Sequence, residues 1–167
     1  MRVRSILVKV SAGALLVGGL YVAGGGAAGA RGVCNVINGT SASETLTGTA
    51  GSDCIYGYGG SDTLKGSLGN DFLYGGFGAD LINAGKGDDT AEGNNGADTM
   101  NGGYGDDLLG GGADADWIGD GLGVDTLNGG RGSDTLDSVQ GNNQNDTLNG
   151  DGGHDTCSGD PADSITC

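Results

Sequence analysis

Apolar residues recur at every ninth position through most of the chain. Residues 39–137 divide into eleven consecutive nine-residue blocks, and after a three-residue insertion at 138–140 the same phase resumes for two further blocks over 141–158. The eighth position is apolar in all thirteen of these blocks. One inward side chain between two outward neighbours suits a very short β-strand. The pattern therefore predicts one short strand per block and an all-β chain.

The other positions of the block carry a second pattern, of glycine and acid. The first position is Gly in eleven of the thirteen blocks and the fourth is Gly in ten, while the sixth is Asp in twelve and Glu44 in the remaining one. Glycine is the residue that reaches positive φ and turns tightly without steric cost. The first six residues of each block are thus predicted to form a turn that ends on an acid.

Composition narrows the class of protein further. Gly makes up 40 of the 167 residues, but collagen would need Gly at every third position and much Pro, whereas the chain has one Pro. A disordered acidic tail would not keep an acid at one phase of nine through every block. The net charge of −15 argues against nucleic acid as a partner, because phosphate contacts require Lys and Arg, and it indicates cations as ligands.

Blocks such as GGYGDDLLG at 102–110 and GGRGSDTLD at 129–137 carry a recognisable motif. The sequence resembles the RTX, or haemolysin-type, calcium-binding nonapeptide repeat, G-G-x-G-x-D-x-U-x. The resemblance implies a right-handed parallel β-roll over residues 39–158, with two blocks per coil, and several Ca²⁺ ions bound between its turns. Residue i then lies beside residue i+18 of the next coil, about 4.8 Å away.

That stacking sorts the acids into two ladders. Carboxylates at this spacing repel one another, and Ca²⁺ between successive rungs, with turn carbonyls as further ligands, would neutralise them. Mg²⁺ fits less well because it demands a strict octahedron and keeps its waters. The first ladder comprises Asp53, Asp71, Asp89, Asp107, Asp125 and Asp146; the second comprises Asp62, Asp80, Asp98, Asp116, Asp134 and Asp155, preceded by Glu44.

Three departures from the repeat affect this prediction. Glu44 is longer than Asp, which makes the interval between Glu44 and Asp62 doubtful. Asp114 replaces a turn Gly and either adds a ligand or strains the turn. The insertion at 138–140 is expected to disturb the interval that crosses it in each ladder, which leaves eight well-formed candidate intervals out of eleven.

The two ends of the chain predict export. Residues 1–30 have a basic start, an apolar centre and a small-x-small end, as in a cleaved signal peptide, and removal of their three cations would change the net charge from −15 to −18. Residues 31–38 and 159–167 are expected to cap the roll. Four cysteines in an exported chain suggest disulfides, and Cys34–Cys54 with Cys157–Cys167 is the simplest of three pairings. A zinc site made of all four is the rival interpretation.

The leading functional hypothesis is therefore a secreted, non-enzymatic calcium-binding protein without a membrane span after signal removal. The alternative is an extracellular structural or adhesive protein in which Ca²⁺ is only a stiffener. The aromatic residues beside the inward positions, such as Trp117 and Tyr74, bear on this choice, because they are either outward strand residues or a strip that binds a glycan or cell-surface partner. His154 lacks a Ser or Cys constellation and is not expected to be catalytic. Off-phase acids such as Asp106 and Asp151 are expected to be solvated or bonded within their turns.

Overall fold

A computed structural model of the protein describes residues 34–138 and 144–167. The expected signal peptide therefore lies outside the described residues. Within them every regular element is a short β-strand, and no helix is long and apolar enough to cross a membrane. The strands are β1 (Asn35–Asn38), β2 (Thr45–Thr47), β3 (Asp53–Gly59), β4 (Thr63–Leu68), β5 (Phe72–Phe77), β6 (Leu81–Lys86), β7 (Thr90–Asn95), β8 (Thr99–Tyr104), β9 (Leu108–Ala113), β10 (Trp117–Leu122), β11 (Thr126–Gly132), β12 (Thr135–Asp137), β13 (Thr147–Gly153), β14 (Thr156–Ser158) and β15 (Ser164–Thr166).

The strands alternate between two parallel sheets. The odd-numbered strands form an eight-stranded sheet and the even-numbered strands a seven-stranded sheet, so each coil contributes one strand to each sheet. Within a sheet, residue i pairs with residue i+18; Leu64 of β4, for example, stands opposite Ile82 of β6. This register confirms the parallel roll with two nine-residue blocks per coil.

The apolar eighth positions form the core. From Ile55 to Leu148 these side chains are at most 1% exposed and stack in two facing columns, one from each sheet. Leu46 and Cys157, in the terminal blocks, are only partly buried because they have a coil on one side alone. The prediction that the eighth position points inward is confirmed.

The prediction that the first six residues of a block form a turn is wrong for the first three, which in the central blocks continue the preceding strand, as residues 75–77 do in β5. The turn itself comprises the fourth to sixth residues, and glycine is needed where the backbone takes positive φ. The second and fourth positions take positive φ through the central blocks, as at Gly76 (φ 113°) and Gly78 (φ 119°). A Cβ at Gly78 would also overlap the carbonyl oxygen of Gly60 in the preceding coil. Asp114 occupies a fourth position at φ 77°, and its side chain is exposed. Asp is one of the few residues that tolerate this left-handed conformation.

Both ends of the roll carry a covalent link. Cys34 is bonded to Cys54 and Cys157 to Cys167, with Cα–Cα separations of 5.6 and 6.3 Å. The predicted pairing is confirmed, and the four-cysteine zinc site is wrong. The strands in the segments expected to be caps, β1 and β15, are the two edges of the eight-stranded sheet.

Candidate metal centre

The acids of the sixth position form two continuous ladders. From Asp53 to Asp134 the backbone N–H of each of these Asp residues donates a hydrogen bond to Oδ1 of the Asp one coil further on; Asp80 donates to Asp98 over 2.7 Å, and Asp98 to Asp116 over 2.8 Å. Because the acids precede the strands, strand pairing holds successive carboxylates in register. Of the twelve predicted ligands, all but Asp155 are buried, at most 4% exposed.

The second carboxylate oxygen of most rungs has no partner. Oδ2 is buried and without a hydrogen-bond donor, within the described residues, in ten of the twelve predicted ligands. Leaving such a charged acceptor unsatisfied in the interior is costly, and a hard cation is a ligand that would satisfy it. The donor set is all oxygen, which suits Ca²⁺. The ten residues are Asp62, Asp71, Asp80, Asp89, Asp98, Asp107, Asp116, Asp125, Asp134 and Asp146.

The pKa values of the central rungs are raised by burial and by the charges of neighbouring acids. Desolvation by burial raises the pKa of Asp98 and Asp107 to about 7, and the charges of neighbouring acids add to the rise. The ladder hydrogen bond from the preceding Asp works in the opposite direction but does not cancel it. Burial raises the pKa of the central rungs Asp89, Asp116 and Asp125 to about 6. Without bound cations these central rungs therefore hold a proton more tightly than an Asp in water does.

The first rungs of the ladders differ from the central ones. Burial alone would raise the pKa of Asp53, but hydrogen bonds from Thr49 and from the Asn35 side chain lower it on balance. Both oxygens of Asp53 thus have donors from the chain itself. Glu44 stays in the second ladder, since its N–H donates to Asp62 Oδ1 and its own carboxylate accepts the Thr40 N–H. Neither residue keeps the free buried oxygen of the central rungs.

The expectation that the insertion disturbs the ladders is wrong for their hydrogen bonds. Asp125 donates to Asp146 over 2.8 Å and Asp134 to Asp155 over 3.0 Å, in both cases across 21 residues instead of 18. The physical reason is that β11 pairs with β13, and β12 with β14, in a register shifted by three residues. The insertion falls between β12 and β13 in the sequence, so the strands on either side of it keep their pairing.

Two acids of the site do not follow from the sixth position of the repeat. Asp163 follows Asp146 by only 17 residues, yet it accepts the Asp146 N–H at 3.1 Å and so continues the first ladder. Its other oxygen accepts from Ser138 Oγ at 2.8 Å. Asp120 stands at a first position, normally Gly, and is fully buried. The only sequence signal for Asp120 was that exception to the glycine pattern.

The remaining candidate residues lie on the outside of the roll. Asp106 is exposed and accepts the Val124 N–H, and Asp151 is exposed and hydrogen-bonded to Asn149. Trp117 is 38% exposed, whereas the next three residues of β10, 118–120, are all buried, so the inward and outward alternation expected of the strand is not seen there. His154 is exposed in a turn-like segment.

Comparison with known proteins agrees with this geometry. The model of the RTX calcium-binding nonapeptide repeat (4 copies) matches residues 38–73, 56–91, 84–118, 101–136 and 137–163, which together span the whole roll. No individual curated protein matches the chain significantly. The matched repeats coincide with the coils that bear the two ladders. The chain therefore belongs to the family of proteins built from RTX calcium-binding nonapeptide repeats.

Proposed function

We propose that the protein is a secreted calcium-binding protein whose roll folds when Ca²⁺ occupies the intervals between successive rungs. The observation that carries the proposal is the row of buried, partnerless Oδ2 atoms, one on each of ten rungs. Calcium binding is what the family's repeats indicate; the dependence of folding on the ion is inferred from this charge. The proposed role is non-enzymatic.

The charge in the ladders has little compensation from the chain. Residues 31–167 contain Arg31, Lys65, Lys86 and Arg131 as their only Lys and Arg side chains. Lys86 lies 5.1 Å from the ring centroid of Tyr104, on the outside of the roll. Adjacent carboxylates in a ladder repel by roughly 3 kcal/mol per pair at an effective dielectric near 20. Closing the coils without cations therefore accumulates repulsion at every rung.

Each rung takes part in the interval before it and the interval after it. Because a coil that closes completes one interval and supplies half of the next, binding is expected to be cooperative along the roll, as in other stacked repeats. Metal binding then contributes directly to the folding free energy, because the unfolded chain holds no preformed site.

Circular dichroism of the mature chain tests this proposal. In excess chelator the spectrum is expected to be that of a largely unfolded chain, and rising free Ca²⁺ should restore the β signal steeply, with Mg²⁺ far less effective. A β spectrum that persists unchanged in chelator would contradict calcium-driven folding.

Export is supported by two separate features. Residues 1–30 have the composition of a signal peptide, and both disulfides require an oxidising compartment to persist. N-terminal sequencing of the protein recovered from culture medium is expected to show a mature chain that begins close to Arg31. An intact Met1 on cell-associated protein would argue against secretion.

An adhesive role is the second candidate, and a cluster of rings on the outer face of the eight-stranded sheet favours it. Tyr56 lies 6.0 Å from Phe72, 6.1 Å from Tyr58 and 6.3 Å from Tyr74, measured between ring centroids. Partly exposed aromatic faces of this kind can stack on sugar rings. Calcium-dependent binding to a glycan array, lost when Tyr56 and Tyr74 are changed together to Ser, would support this role; absence of glycan and cell binding would leave calcium binding alone.

A further inference from the structure

One carboxylate inside the roll belongs to neither ladder. Asp120 begins the block at 120–128, at a position that is Gly in eleven of thirteen blocks. It follows Ile118 by two residues on β10 and therefore points to the same, inward side. In the same column the preceding coil has Gly102, because Gly103 pairs with Gly121. Asp120 thus places a carboxylate where the neighbouring coil has none.

Asp120 lies against two rungs of the first ladder. Carboxylate oxygens of Asp120, Asp125 and Asp146 all lie within 4.8 Å of one another. The three side chains are 0%, 1% and 0% exposed. Oδ1 of Asp120 accepts the Gly121 N–H at 2.6 Å, whereas Oδ2 of all three residues is buried without a donor in the described part of the chain.

Three buried carboxylates at this separation have the dimensions of a cation site. Oxygens on opposite sides of a Ca²⁺ ion, each about 2.3–2.6 Å from it, are about 5 Å apart, so an O–O span of up to 4.8 Å fits within one coordination sphere. An ordinary ladder interval has two carboxylates, and a third carboxylate adds a full negative charge at contact distance. Affinity for Ca²⁺ rises with the number of charged ligands.

The position along the chain gives this site a further property. Asp120 and Asp125 precede the insertion at 138–140, and Asp146 follows it. An ion held by all three would join the coils on the two sides of the insertion, where the chain connection is longest.

We propose that Asp120, Asp125 and Asp146 together hold one Ca²⁺ ion more tightly than any two-carboxylate interval of the roll. The proposal rests on the proposed calcium-binding function and adds Asp120 as a ligand outside the repeated acid position. In the alternative arrangement no ion binds there, and the three carboxylates share a proton instead.

Calcium release from the loaded, folded protein tests the site directly. Stopped-flow mixing with a fluorescent calcium chelator is expected to show one ion per chain that leaves at least tenfold more slowly than the others. Asp120→Gly, which restores the usual residue, and Asp120→Asn, which keeps the shape without the charge, should both abolish the slow phase. Asp151→Gly is the control variant: it removes an exposed acid from another position where Gly is common, and the slow phase should remain.

Equilibrium dialysis at saturating Ca²⁺ separates the possible outcomes. The Asp120 variants are expected to bind the same total number of ions as the wild type, since Asp125 and Asp146 still form a two-carboxylate interval. Release of all wild-type ions in a single phase, a slow phase that persists in both variants, or variants that fail to fold in saturating Ca²⁺ would each overturn the proposal. A wild-type chain that takes up no Ca²⁺ would instead overturn the proposed function itself.

Discussion

Replacement of Asp98 by Asn is the sharpest test of the ladder. Asp98 lies in the middle of the second ladder, where its Oδ1 accepts the Asp80 N–H and its own N–H donates to Asp116. An Asn side chain retains a carbonyl oxygen for the first of these bonds, so the change mainly removes one charge and one Oδ2. Asp106→Asn is the matched control, because it removes the same charge from an exposed turn.

The magnitude follows from the spacing of the charges. Asp98 stands about 4.8 Å from a carboxylate on each side, and would stand about 2.4 Å from a doubly charged ion in each interval. By Coulomb's law the attraction to each ion is then about four times the repulsion from each neighbouring carboxylate, whatever dielectric is assumed. With Ca²⁺ bound the substitution must therefore destabilise the roll, whereas without Ca²⁺ it must relieve repulsion.

A calcium titration followed by circular dichroism measures the net effect. We expect Asp98→Asn to raise the free Ca²⁺ concentration at the folding midpoint at least tenfold, about 1.4 kcal/mol, because two intervals lose a ligand. Asp106→Asn should shift the midpoint by less than about twofold. Equal shifts in the two variants would show that total charge, and not position in the ladder, governs the response.

Three further predictions concern the pH, the turns and the ends. In calcium-depleted protein, burial raises the pKa of rungs such as Asp107 to about 7, so the folded form binds protons more tightly than the unfolded chain. Acidification from pH 8 to 5 should therefore increase the β signal in circular dichroism. In the presence of Ca²⁺ the same acidification should weaken folding, because protons compete with the ion. Gly78→Ala should lower the thermal midpoint in Ca²⁺ markedly, because its φ is 119° and a Cβ would overlap a backbone carbonyl, while Gly51→Ala, which has open space around its Cβ, should leave the midpoint nearly unchanged. Replacing Cys157 and Cys167 by Ser should cost roughly 2–4 kcal/mol in the free energy of unfolding, and greater protease cleavage near the C-terminus should reveal a frayed last coil; unchanged stability would contradict a clamping role for this disulfide.

Much of the fold could be predicted from the sequence because the repeat is regular. A fixed period of nine determines which side chains point inward, and the register of 18 residues then assigns every rung of the ladders. Because two cysteines lie near each end of the roll, local pairing was the simplest of the three possible pairings, although the sequence alone left the others open. These features depend only on spacing that is repeated many times, so single exceptions do not obscure them.

The features that could not be predicted lie where the nine-residue period is interrupted, because strand pairing and not residue count sets the register there. Asp163 enters the first ladder although it lies one residue short of the 18-residue spacing from Asp146, because pairing of β15 with β13 and not the residue count decides its neighbour. For the same reason the insertion leaves the ladder hydrogen bonds intact. The role of Asp120 could not be predicted, because the repeat shows that Asp120 replaces a Gly but does not show which residues lie next to it.

The 18-residue register also limits how the length of such a chain can change. Deleting one block of nine residues would move every later strand from one sheet to the other, so that β15 would leave the eight-stranded sheet and each later acid would change ladders. Deleting a whole coil, for example residues 75–92, would return all later strands to their present sheets and preserve both terminal disulfides. Rolls of this kind should therefore gain or lose repeats in even numbers. Insertions that do not fit the nine-residue period should fall between strands in the sequence, as residues 138–140 do here.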